Sequence, residues 1–265
     1  MTLETYQLYL AFLVGSFTSF GSINNYLSLL KQINIVLGAD ISFFSSHQIA
    51  SLKMAAKRVL AAPPNRKAPI TIEILLAIHN LSNFSDPYHV CMWAVFVVAF
   101  FSLLRKSNLV PNSVSDTLDP QAAYLKKGDV VFFTDHCILT VHKTKTIQFR
   151  QRVLEIILPT IPNSVLCPVT ALKHQIKQSP GNSHSPLFTI PATATAGTYT
   201  PVTGHRFSSF LKSSITAVGL DPSKFSPHSF RRGGSHICIQ VRSVTTVHQM
   251  FRRLGLKCIS GLSSS

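Results

Sequence analysis

Apolar residues recur at helical spacing through the first third of the chain. Across Ser22–Leu37 they fall at Ile23, Tyr26, Leu27, Leu30, Ile33 and Val36, and Gly38 supplies a stop. The same reading predicts helices over Thr2–Val14 and Ser46–Leu60, the latter with Lys53, Lys57 and Arg58 on its polar side. Ala61–Pro69 (AAPPNRKAP) is a proline-containing basic linker and a candidate domain boundary. Two more helices are expected beyond it, over Ile72–Leu81 and Tyr88–Leu104.

The period changes after Pro111. Asp129–Phe133, Cys137–His142 and Arg152–Ile157 are short β-branched runs separated by turns, the pattern of three antiparallel strands. Val169–Gln175 returns to helix. Ser179–Thr200 is rich in Pro, Ser, Thr and Gly and reads as a loop. His205–Val218 is a helix, and a turn through Asp221-Pro222 leads into a last one. No internal repeat is seen. The expected fold class is mainly α with a small antiparallel β-sheet: helices, then sheet, then helices.

Composition adds a partner. Charged residues make up only 13% of the chain, about half the usual share, yet 25 Lys and Arg face 10 Asp and Glu for a net +15. So one-sided a balance suits a polyanion, nucleic acid first and an anionic membrane surface second. The five cysteines are scattered, with no C-x-x-C pair, so no zinc site is expected. The start has Glu4 and lacks a basic region, unlike a signal peptide. Tyr88–Leu104 is almost wholly apolar, at the lower limit of a membrane span. A helix apolar on all sides also suits the centre of a water-soluble core. Core is the preferred reading, and a basic membrane-associated protein the alternative.

Three strings carry candidate chemistry: Leu103-Leu-Arg-Lys-Ser-Asn-Leu109, Val141-His-Lys-Thr-Lys-Thr146 and Pro227-His-Ser-Phe-Arg-Arg-Gly-Gly234. Singly each has a plain structural explanation. Arg105 is a cation at a helix C-terminus, Lys143 and Lys145 are turn residues, and His228 is a helix N-cap. Their joint order, Arg then hairpin Lys then H-x-x-R, resembles the tyrosine recombinase superfamily. The resemblance is strongest to the phage-integrase-like enzymes of eukaryotic mobile elements such as Cryptons and DIRS-type elements.

That resemblance implies a helical core-binding domain over residues 1–62 and a catalytic domain over 68–235, closing as a C-shaped clamp on double-stranded DNA. It implies strand exchange through a 3′-phosphotyrosyl bond, without metal or cofactor. Arg105 and Arg231 would grip the non-bridging phosphate oxygens, because a guanidinium meets two oxygens at once and stays charged. His228 would donate a hydrogen bond or move a proton. Lys145, with Lys143 its rival, would protonate the leaving 5′ oxygen. Lys53, Lys57, Arg58, Lys106, Lys143 and Arg232 are the expected DNA contacts. Self-association on DNA, a nuclear location and the absence of a membrane partner follow from the same resemblance.

The pattern stops after Gly234. The family continues with a G-[DH]-W or G-H motif and then its nucleophilic tyrosine, whereas no tyrosine follows Tyr199 here and Trp93 is the single tryptophan. Back-translation of the tail, shifted one nucleotide forward after His236 with free choice of synonymous codons, permits a string with G-D-W followed by two tyrosines. Residues 236–265 are therefore expected to be out of frame or a mispredicted exon, and the chain as written to be catalytically defective. Its rival within DNA binding is a non-enzymatic protein retained by a host.

Overall fold

The computed structural model describes residues 2–61, 66–119, 122–143, 153–192 and 197–241, with side chains given to residue 236 in the final helix. The chain divides into two compact units, Met1–Asn65 and Arg66–Ser265.

The first unit holds α1 (Leu3–Ser16), α2 (Phe20–Val36) and α3 (His47–Val59), with a single 3₁₀ turn between α2 and α3. Each helix begins at a hydroxyl cap. Thr2, Ser19 and Ser46 accept from the backbone N–H of Thr5, Gly21 and Ile49, satisfying donors that the first turn leaves open. Tyr6, Leu10, Leu13, Ile23, Leu27, Phe44 and Ile49 form the core, and Tyr6 meets Phe43 and Phe44 edge-on.

The second unit is built around α5 (Pro87–Ser102). Asp86 caps it, Pro87 occupies its first turn, and every residue from Val90 to Phe100 is buried. Each large apolar side chain so buried contributes roughly 1.5–3 kcal/mol. The apolar stretch is thus consumed by the core, and no helix among the described residues is long and apolar enough to cross a membrane. Around α5 lie α4 (Ile72–Leu81), a four-residue α6 (Lys106–Leu109), α7 (Pro168–Gln178), α8 (Gly204–Ala217) and α9 (His228–Val241).

The sheet of β1 (Val130–Phe132), β2 (His136–Val141) and β3 (Leu154–Pro159) is antiparallel in the order β1-β2-β3. In β2 the inward residues Cys137, Leu139 and Val141 are buried and alternate with half-buried neighbours, the period of a strand with one face on a core. The fold is mainly helical with small antiparallel sheets. The Ser179–Thr200 segment departs from its expected form, because β4 (Thr189–Pro191) pairs with β5 (Tyr199–Pro201) inside it. The buried Gln175 side chain donates to the Thr189 carbonyl at 2.9 Å and fastens this hairpin to α7.

Candidate phosphate-binding site

The site begins where α5 stops. Leu103 takes the left-handed conformation (φ 55°, ψ 20°) and ends the helix. That conformation costs a leucine about 1–2 kcal/mol, offset by the burial of Leu104 next to it. Leu104 also donates its N–H to the Ser102 hydroxyl at 3.3 Å. The chain then runs extended through Arg105 (φ −76°, ψ 153°) into α6.

The first turns of α9 are pressed onto this corner. Phe230 is fully buried, its ring 4.8 Å from Phe96 and 5.7 Å from Phe207. Ser229, equally buried, accepts the Ile70 N–H on its carbonyl at 3.0 Å and the Ser226 N–H on its hydroxyl at 3.0 Å. Gly233 and Gly234 complete the inner face. A Cβ on Gly233 would stand 1.7 Å from the Ile70 carbonyl oxygen, and one on Gly234 2.1 Å from that of Phe100. The glycine pair therefore lets α9 approach both the segment leading into α4 and the end of α5 by backbone contact. With residues 229, 230, 233 and 234 inward, His228 is left exposed and Arg231, one turn on, half-buried.

This packing brings Arg105, Lys106 and His228 around one hollow of about 350 Å³, with Ser107, Ser226 and Pro227 completing its wall. Two further hollows share its edges. One, of about 370 Å³, meets it at Ser107 and reaches Lys143, with Asp116, Asp119 and Tyr124 also in its lining. The other, of about 430 Å³, meets it at Ser226 and Pro227 and contains Lys67 and Lys212. A hollow of about 590 Å³ lies elsewhere, around His79, Phe84 and Trp93. Its lining has neither Arg nor Lys, so it lacks the charge that an anion requires.

The remaining expected residues are spread around this corner and beyond it. Lys145 lies outside the described residues. The Arg232 guanidinium donates to the Lys67 carbonyl, and the Lys67 ammonium to that of Ser223 at 2.7 Å, so both side chains brace the entry to α9. The Lys106 chain lies over the start of α8, its Nζ 3.2 Å from where a Cβ on Gly204 would stand. Lys57 and Arg58 are exposed and Lys53 half-buried on α3, in the first unit. No sequence motif assigns a role to Lys67, Lys212 or Asn108: Lys67 and Lys212 come together in one hollow, and the Asn108 side chain bonds to the carbonyls of residues 123 and 143. Beside Lys143, His142 pairs with Asp129 at 3.2 Å.

No family model and no curated protein matches the chain. Among solved structures it is similar to a lambda integrase (75–356) dimer bound to a COC′ core site, at 16% identity and a TM-score of 0.47, over 100% of this chain and 98% of that one. It is also similar to the XerH site-specific recombinase in a post-cleavage complex with palindromic difH substrate, at 14% identity and a TM-score of 0.46, over 75% of this chain and 48% of that one. The XerA recombinase matches at 14% identity and a TM-score of 0.39, over 97% and 90% of the two chains. The chain thus spans about half the length of the XerH chain. At these identities and TM-scores the functional reading rests on the site's own side chains.

Proposed function

We propose that this chain is a tyrosine-recombinase-like module that binds the phosphate backbone of duplex DNA at the Arg105–His228 hollow. One observation carries the reading: Arg105 and His228, 123 positions apart, line a single concavity beside Lys106. A guanidinium with an adjacent imidazole offers several N–H donors to the non-bridging oxygens of one phosphodiester. Arg231 follows on the same helix and would supply a second fork.

In the complete reaction a tyrosine hydroxyl gives up its proton, with His228 the proposed acceptor, as its oxygen attacks phosphorus, the bond to the 5′ oxygen breaks, and that oxygen takes up a proton. The hairpin lysine, Lys145 or Lys143, is the proposed proton source, and His228 and the arginines hold the charge that grows on the phosphoryl oxygens. No tyrosine follows Tyr199 in the sequence. The chain as written therefore binds DNA without forming the covalent intermediate, and an out-of-frame tail is the proposed reason. We assign its ancestry to a mobile element and its place of action to the nucleus, with self-association on DNA and the first unit clamping the duplex.

The test is Arg105→Ala beside wild type, with binding to a fluorescently labelled duplex followed by anisotropy. Removing one charge-assisted fork should weaken binding about tenfold, equivalent to roughly 1.4 kcal/mol, with the fold intact by circular dichroism. Unchanged affinity would remove Arg105 from the interface.

A further inference from the structure

Asn108 is a polar side chain in an apolar place. It lies three residues after Arg105, on α6, and is only 3% exposed. Its carboxamide nitrogen donates to the Lys143 carbonyl at 2.7 Å and to the Ala123 carbonyl at 3.3 Å. Its backbone continues the same connection: the N–H donates to the Arg105 carbonyl at 2.9 Å, and the carbonyl accepts from Leu125 N–H at 3.0 Å. One residue thus ties together the turn that presents Arg105, the 123–125 segment and the point where the chain leaves β2.

The 122–129 segment is itself anchored. Asp129 accepts the Lys126 N–H at 2.7 Å on one carboxylate oxygen and faces His142 Nε2 at 3.2 Å on the other. His142 and Lys143 are therefore held from two sides, one by Asp129 and the other by Asn108. Only a side-chain amide gives two N–H donors on one short arm, matching two carbonyl oxygens. An aspartate would set acceptor against acceptor, and a leucine would leave both carbonyls without their donor.

We infer that Asn108 is a positioning residue that fixes Lys143 at the base of its hairpin relative to Arg105, so that arginine and lysine meet one stretch of DNA backbone in register. The inference rests on the reading of this unit as a DNA-phosphate-binding module. It adds the coupling between two binding elements that are 38 positions apart in the chain.

The test is a double-variant cycle on the full chain, with affinity for duplex DNA measured across a salt series. Removing one phosphate-neutralising cation should flatten the slope of log K against log salt by about 0.9. Lys143→Ala should flatten it by that amount, Asn108→Leu should do nearly the same, and the pair together should flatten it no further. Asn108→Ser is the companion variant, since it leaves room for a water to meet the carbonyls and so spares the fold. Its slope should fall in the same way. A slope kept by whichever Asn108 variant folds, while Lys143→Ala flattens it, overturns the positioning role and leaves the DNA reading standing. Additive effects in the double variant also overturn it. Absence of any salt-dependent binding by wild type defeats the DNA reading itself.

Discussion

Gly233 sits against Ile70 with no room for a side chain: a Cβ there would lie 1.7 Å from the Ile70 carbonyl oxygen. That oxygen belongs to backbone and cannot rotate away. The contact sets how closely α9 approaches the segment leading into α4, while Gly234, its Cβ position 2.1 Å from the Phe100 carbonyl oxygen, sets the approach to the end of α5 and so to the turn that carries Arg105.

Gly233→Ala should therefore destabilise the chain by about 1–3 kcal/mol or more, the scale of overpacking a close contact, despite alanine's better helix propensity. Gly15, inside α1 with nothing within 4 Å of its Cβ position, is the control. Gly15→Ala should be neutral or stabilise by up to about 1 kcal/mol. Urea unfolding of both variants checks the contrast, and equal effects would remove the close approach as the reason for the glycine.

Stability should also fall as the solution is acidified from neutrality. Burial holds His79 below its ordinary value of 6.5, with the Phe84 ring tilted beside it at 4.5 Å and the Trp93 ring edge-on at 5.0 Å. The folded state thus binds fewer protons than the unfolded one. Its stability is full above about pH 6.5 and declines below it, down through the lowered folded value. His79→Phe should flatten this decline between pH 7.5 and 5.5. Urea midpoints at the two pH values measure it, and an unchanged slope would exclude His79 as a contributor.

Incubation with a suicide DNA substrate should give no covalent protein–DNA adduct from the chain as written. Tyr199, the last tyrosine, lies in β5 and donates its hydroxyl to the Gln178 carbonyl at 3.1 Å. Tyr124 is buried, which raises its hydroxyl pKa and disfavours the phenolate. A denaturing gel settles the matter. An adduct mapped to any of the six tyrosines would contradict the proposal, and an adduct formed only after the tail is read one nucleotide forward would support it.

Much of this architecture is legible in the sequence, for reasons visible at particular residues. α4 has the bounds its periodicity predicts, because Thr71 caps it and its apolar spacing is regular. α5 ends two residues early, because a leucine rather than a glycine takes the left-handed position at 103. β4 and β5 are not legible in the sequence because each is three residues long and ends in proline, too short for alternation to register. At the candidate site, motif order singles out Arg105 and His228, which the fold brings to one hollow. Lys67 and Lys212, which share a neighbouring hollow, and Asn108, which bonds to residues 123 and 143, are given no role by any motif, because such proximity arises only in the fold. Arg232, which the sequence offers as a DNA contact, has a further partner that the sequence does not show, the Lys67 carbonyl.

The most direct test of the account is the salt dependence of wild-type binding to a duplex. Engagement of about four phosphates by the Arg105–His228 region and its neighbours should weaken affinity by roughly 10²-fold between 50 and 200 mM salt, as condensed counterions are released. Affinity that holds constant across that range, or no binding at the lower salt, would contradict it.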